Sequence, residues 1–242
     1  MKQSDHTSQG APAPHPYPRI ILDVHTHHPA PQPEAIIAME PEALPAPDSH
    51  PGQFYSAGIH PWSLSALTIP ADRLATLRRA AERPDVVAIG ETGIDTVHPG
   101  AAPLAGQLNA FRTHVTLSES LAKPLIIHCV KAQDIILGLH AEMQPRQPWI
   151  IHGFRGKPSV MRMLTAKGIY LSFGPKFNPD TLLAIPLDLL LVETDEAPCR
   201  IQDVIALLNA TRPEVTPTLL ATNLRRVLPL TEPGGSPSAT TH

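Results

Sequence analysis

Seven residues of the 242-residue chain carry side chains suited to a divalent ion, and each stands just after a short apolar run. His25 and His27 end the stretch Ile20-Ile21-Leu22-Asp23-Val24-His25-Thr26-His27. Side chains alternate along a strand, so the two imidazoles share one face and can reach one ion. His60 follows Gly58-Ile59, Glu91 opens Glu91-Thr92-Gly93-Ile94-Asp95, and His128 and His152 follow Ile126-Ile127 and Ile150-Ile151. Asp195 ends Val192-Glu193-Thr194-Asp195. Taken singly, Glu91 or Asp195 would serve as a helix cap or an ion-pair partner, and His128 or His152 as a hydrogen-bonded core histidine. Taken together they are costly to bury unless metal or hydrogen bonds compensate. Histidine and carboxylate without thiolate suit zinc, manganese or magnesium. Four histidines and two carboxylates exceed what one tetrahedral ion with an open position needs, so the set suits two divalent ions per chain sharing a carboxylate. Such a pair polarises a phosphoryl oxygen and activates water, which is hydrolytic chemistry.

The elements that must position these residues are short strands alternating with helices. Eight strand candidates stand out: Ile20–His25, Ala35–Met39, Phe54–Ile59, Val86–Gly90, Pro124–Cys129, Trp149–Phe154, Ile169–Gly174 and Leu189–Thr194. Helical patterns fill the gaps from the third strand onward, over Ala71–Ala81, Leu104–Ala122, Ala132–Glu142, Pro158–Lys167 and Pro179–Ala184. Alternating strands and helices imply an α/β fold with a parallel sheet, and eight units in this length predict a (β/α)8 TIM-like barrel. Catalytic residues of such barrels lie at the C-terminal strand ends, where all seven candidates stand. The barrel is expected to be distorted, with the first crossover helices reduced or missing. His28–Glu34 is too short for a helical crossover, and Met39 to Phe54 is proline-rich. That side should have the more open wall.

Composition narrows the classes. The net charge of −3 does not suit a general nucleic-acid coat, so any nucleic acid would be held locally. Two cysteines are too few for a disulfide framework and suit a reducing cytoplasm. The polar N-terminus lacks a signal-peptide core, and no stretch suits a membrane span. Proline is abundant, at 29 residues, with the excess in tails and loops. Residues 1–18 read as a disordered proline-rich leader, 19–230 as the barrel and 231–242 as a loose tail.

The residues resemble the TatD family of metal-dependent deoxyribonucleases, within the amidohydrolase-like barrels. The matching pieces occur in the family's order: Asp23-Val24-His25-Thr26-His27, Gly58-Ile59-His60-Pro61, Gly90-Glu91-Thr92-Gly93-Ile94-Asp95, Ile127-His128, His152-Gly153-Phe154-Arg155-Gly156, Ser172-Phe173-Gly174 and Glu193-Thr194-Asp195. The resemblance implies a TIM-like barrel and phosphodiester hydrolysis, typically as a 3′-to-5′ exonuclease on DNA. It implies that His25, His27 and Asp195 hold one ion, His128 and His152 the other, and that Glu91 bridges them. His60 would contact the substrate phosphate, and Asp195 would orient or deprotonate the attacking water. Two local departures concern substrate rather than ligands. The family usually has arginine where this chain has Val130, with Lys131 beside it, and usually has proline two residues after the last-strand aspartate, where this chain has Ala197 and then Pro198.

Lys131, Arg155 and Lys176 are candidates to meet phosphate, although each also reads as an ordinary solvated charge. Trp62 at the mouth reads as closing its loop rather than stacking a base. Cys129 should point away from the site into the packing layer. His28, His98, His114 and His140 read as surface or loop residues. The same ion pair would also serve a carboxylic ester or amide, such as an aminoacyl-tRNA linkage, because fold does not fix substrate. A non-catalytic metal-binding protein is the third reading, and the intact ligand set argues against it.

Overall fold

The computed structural model describes residues 20–30, 32 and 34–228; the leader and the tail expected from sequence lie outside them. All eight strands form, and all pair in parallel: β1 (Asp23–Thr26), β2 (Ala35–Met39), β3 (Phe54–Ala57), β4 (Val86–Asp95), β5 (Leu125–Val130), β6 (Trp149–Ile151), β7 (Tyr170–Phe173) and β8 (Leu190–Val192). They close in sequence order, and Asp23 of β1 pairs with Val192 of β8 to complete the barrel. The fold is a (β/α)8 barrel.

The helices are α1 (Ala71–Ala81), α2 (Leu104–Leu121), α3 (Gln133–Met143), α4 (Pro158–Thr165), α5 (Pro179–Ala184), α6 (Ile201–Thr211) and α7 (Pro217–Val227). Some of the proline serves helix starts. Pro158, Pro179 and Pro217 occupy first-turn positions, and Pro70 and Pro103 directly precede α1 and α2. A first-turn proline loses nothing there, because its missing N–H would have had no intrahelical partner.

Two core clusters record the strand alternation. Leu125, Ile127, Ile151, Leu190 and Val192 pack with Phe111, Ile136, Met161, Leu164 and Leu208 of the helices. Their strand neighbours Ile126, Ile150 and Leu191 join Ile36, Ala88 and, from α7 and its end, Leu224, Val227 and Leu228. With period two, Ile126 shares its face with His128, Ile150 with His152, and Leu191 with Glu193. The inward-facing set thus changes from aliphatic to ionisable at the C-terminal end of the strands.

The first crossovers are non-helical, as expected. The wall there is nonetheless covered: Ile37, Tyr55 and Ala57 are buried against Ala80 of α1, with Leu44 of the proline-rich segment packed on them. Buried Gln53 ties the ends together, donating to the Ala35 and Phe54 carbonyls at 2.8 and 2.9 Å and accepting from Gln32 N at 2.6 Å. Two features were not expected. α6 and α7 follow the eighth strand, and β4 runs through Glu91 to Asp95 instead of ending at Gly90.

Candidate metal centre

Glu91 stands at the irregularity in β4, where the register with β5 shifts between Ile89 and Thr92. Such irregularities re-aim side chains beside active sites. Gly90 makes the approach possible, because a Cβ there would overlap the Ile126 carbonyl, and its φ of 128° suits only glycine. The Glu91 carboxyl is buried, and its two oxygens face different partners. Oε2 lies 3.1 Å from His27 Nε2 and 3.4 Å from His25 Nε2. Oε1 lies 2.7 Å from His152 Nε2, 2.8 Å from His128 Nδ1 and 3.1 Å from His60 Nε2. Asp195 joins the first group, with Oδ1 3.8 Å from His27 Nε2 and 3.9 Å from His25 Nε2.

The backbone holds these groups in register. Asp195 has φ 54°, which turns the chain back on β1. Its N–H donates to the His25 carbonyl at 3.0 Å, and its carbonyl accepts from His27 N at 3.1 Å. Asp23 braces the same junction: Oδ1 accepts from His25 N and Thr194 N, and Oδ2 from the Thr194 hydroxyl at 2.6 Å. His60 is set by Glu40, whose Oε1 accepts from His60 N at 3.1 Å and from the Ser63 hydroxyl at 2.7 Å, while Arg73 binds its other oxygen.

The donor set fits divalent ions. Two atoms about 2.1 Å from one tetrahedral ion stand about 3.4 Å apart, close to most of the separations around Glu91. Three triplets bring ligand atoms within 4.8 Å of one another: His25, His27 and Glu91; His25, His152 and Asp195; and His60, Glu91 and His128. Among the described residues, both ring nitrogens of fully buried His25 lack a hydrogen-bond partner, an expensive state unless something else satisfies them.

Burial and the two glutamates set the charges of these groups. Burial alone would raise the Glu91 carboxyl, but the His152 imidazole and hydrogen bonds from His128 and His152 hold it well below the usual range. Burial would lower His152, and the charges of Glu91 and Glu193 raise it well above instead. Burial, helped by nearby His152, lowers His25, which leaves its lone pair free.

The other six residues singled out from sequence therefore gather around Glu91. The expected mouth cations lie beside it. A cavity of about 240 Å³ is lined by Arg155, Lys176, Asp195 and Pro198. Another of about 450 Å³ is lined by His128, Lys131, His152, Arg155 and Asp195. Arg155 and Asp195 border both.

Sequence reasoning gave no role to Asp23, Asp95 or Glu193. Asp95 Oδ2 lies 3.2 Å from His128 Nε2 and accepts from the Trp62 indole at 2.9 Å. Glu193 Oε1 accepts from Gly153 N at 2.6 Å and stands 3.7 Å from His152 Nδ1. Period-two alternation places Glu193 inward with Leu191, a signal available from sequence. Cys129 packs on the helix-facing cluster as expected, and burial pushes its thiol up to about 12. His114 corrects the surface reading: it is fully buried in α2, where Nδ1–H donates to the Ala110 carbonyl at 2.8 Å and Nε2 accepts from Ile59 N at 3.0 Å. His140 is half-buried against Trp149, His28 Nε2 donates to the Ala197 carbonyl at 2.8 Å, and His98 stacks on Trp62.

The model of the family described as TatD related DNase matches residues 42–221. The chain belongs to this family. The matched stretch begins after β1 and does not include His25 and His27. Among similar proteins, the 3′-5′ ssDNA/RNA exonuclease TatD of Erwinia billingiae is 33% identical over 156 residues, 60% of this chain and 58% of that one. The uncharacterized metal-dependent hydrolase YabD of Bacillus subtilis is 32% identical over 150 residues, 59% of this chain and 58% of that one. The chain thus spans under two thirds of the length of these relatives. Two solved structures share the fold. The TatD homologue YjjV of Escherichia coli superposes with a TM-score of 0.74 at 20% identity, covering 88% of this chain and 99% of that one. A TatD-family hydrolase of Entamoeba histolytica gives 0.67 at 18% identity, covering 81% and 85%.

Proposed function

We propose that this TatD-family chain is a two-ion phosphodiesterase that shortens single-stranded DNA from its 3′ end. The observation that carries the reading is the division of Glu91, with Oε2 toward His25, His27 and Asp195 and Oε1 toward His128 and His152. A carboxylate that meets two ligand groups on opposite oxygens is suited to bridge two ions, zinc, manganese or magnesium among the candidates. His25, His27 and Asp195 would hold the first and His128 and His152 the second. When bound, such a pair polarises the scissile phosphate and lowers the pKa of water.

The chain's own residues supply the rest. Asp195 is partly exposed at the border of both cavities, so its carboxylate is available to orient the attacking water and accept its proton. His60 Nδ1 accepts from Trp62 N at 3.2 Å, which leaves its ring proton on Nε2, aimed into the site. It is therefore a donor to a phosphate oxygen rather than a ligand. Lys131, Arg155 and Lys176 have no ion pair among the described residues, and they remain free to meet the flanking phosphates. The relative named as a 3′-5′ ssDNA/RNA exonuclease supports the polarity. The chain's place is read as the cytoplasm from its cysteine content. Among the described residues, no helix is long and apolar enough to cross a membrane.

The test is digestion of 3′-labelled and 5′-labelled single-stranded DNA by metal-stripped protein with Mg, Mn or Zn restored. Stepwise loss from the 3′ end is expected. Asp195→Asn should slow it by about 10²–10⁴-fold while the protein stays folded. Unchanged turnover in the variant, or no cleavage with any metal, would contradict the reading.

A further inference from the structure

Asp95 ends β4 with its carboxylate buried and every face of it engaged. Oδ1 accepts from the main-chain N–H groups of Val97 and His98, both at 2.9 Å. Oδ2 accepts from Trp62 Nε1 at 2.9 Å and stands 3.2 Å from His128 Nε2. Gln107 of α2 clamps the backbone: its Oε1 accepts from Asp95 N at 2.7 Å, and its Nε2 donates to the Asp95 and Ala102 carbonyls at 3.0 and 2.7 Å.

An ionised carboxylate only accepts hydrogen bonds, so of the two neutral forms of His128 only the one with Nε2–H suits Asp95. The other nitrogen, Nδ1, faces Glu91 Oε1 at 2.8 Å, so each carboxylate draws a proton to the nitrogen it meets. An ion beside Glu91 would take the place of the Nδ1 proton and leave the ring's remaining proton on Nε2, where Asp95 accepts it. Among the described residues, no other histidine of the centre has a carboxylate within 3.5 Å of the nitrogen turned away from Glu91. The nearest case, His152 Nδ1 to Glu193, is 3.7 Å. Both ring nitrogens of His25 are without a hydrogen-bond partner among the described residues.

We infer that Asp95 is a positioning residue of the centre: it holds the His128 proton on Nε2 so that Nδ1 is presented to an ion beside Glu91. The inference rests on the two-ion reading above. Oriented carboxylate–histidine pairs of this kind raise ligand basicity and fix the ring. The same oxygen also anchors the loop after β3. The Trp62 ring stands edge-on to His60 at 4.7 Å and to His128 at 5.6 Å, and stacks on His98 at 3.8 Å. Asp95 therefore ties the ends of β3, β4 and β5 together at the point where two site histidines emerge.

Asp95→Asn separates the proton role from shape. The single amide oxygen stays with the Val97 and His98 N–H groups, so the amide NH₂ turns to His128 and favours the tautomer with Nδ1–H. The first readout is ¹⁵N NMR of histidine-labelled protein loaded with Zn²⁺ at pH 8. Wild-type His128 is expected as the Nε2–H form, and the variant is expected to show the Nδ1–H form. The second readout is titration with Mn²⁺ or Zn²⁺. Wild type should take two ions, and Asp95→Asn should bind one of them about 10–100-fold more weakly. Trp62→Phe, which removes the indole donor and leaves the carboxylate, should keep the wild-type tautomer and both ions. In a His128→Ala background, Asp95→Asn should cost no further affinity, because Asp95 acts through that ring.

Wild-type His128 in the Nδ1–H form would overturn the role without recourse to any variant, as would unchanged affinity for both ions in a folded Asp95→Asn. Failure of wild type to bind any divalent ion would instead remove the two-ion reading on which the role rests.

Discussion

Glu91 and His114 are buried ionisable residues with opposite solutions to the cost of burial. Glu91 keeps its charge, because imidazoles meet both of its oxygens. His114 gives its charge up: burial lowers it to about 4, and the Ala110 hydrogen bond only partly offsets this. The neutral ring can then accept from Ile59 N and steady the residue before His60. Its pH signature follows from linkage. As pH falls below about 6.5, the unfolded chain takes up a proton that folded His114 refuses until about 4. Stability is thus fully present above the unfolded pKa and is lost as pH falls through that window, by about 3 kcal/mol if the whole shift is realised. His114→Gln should flatten the dependence of the urea midpoint on pH between 7 and 5. A variant with the wild-type slope would contradict this account. His114 was also within reach of the sequence, since it lies three and four residues beyond Phe111 and Ala110 on the buried face of α2.

At the scale of elements, strand ends were legible because each apolar run gives way to a polar residue at the barrel's functional end. The length of β4 was not, since Gly90 and Gly93 read as breakers while the structure uses glycine to let β4 approach β5 closely. The role of Asp95 was hidden for the same reason, and it also depends on Trp62 and His128 from other elements. α6 did carry a signal: Ile201, Val204, Ile205 and Leu208 have helical spacing, and all are buried. It stands after the eighth strand, beyond the barrel count. α7 has a structural part to play, because its Leu224 packs with Ile126, Ile150 and Leu191, the aliphatic residues one step below the site. Leu224→Ala should cost about 2–4 kcal/mol in chemical denaturation. A loss below 1 kcal/mol would show that α7 does not close this core.

Taken whole, the molecule is slightly acidic, at −3, and the cavities beside its site mix the cations Lys131, Arg155 and Lys176 with the carboxylates Glu193, Asp195 and Glu196. Arg73, Arg83, Arg112 and Arg200 each pair with a carboxylate, whereas among the described residues Lys131, Arg155 and Lys176 border the two cavities without an ion pair. These three cations are therefore the ones available to a polyanion. Neutralising one phosphate on a single strand contributes a slope of about 0.7 in log affinity against log salt. Arg155→Ala should accordingly raise KM for oligonucleotides and make its salt dependence shallower by about 0.7, with kcat little changed. An unaltered salt slope would remove Arg155 from the substrate path.

If Glu91 bridges two ions, anomalous diffraction from crystals soaked in Mn²⁺ or Zn²⁺ will show both. Two peaks flanking Glu91 are expected, one contacted by His25, His27 and Asp195 and the other by His128 and His152. A single peak, or two peaks that Glu91 does not join, would contradict it.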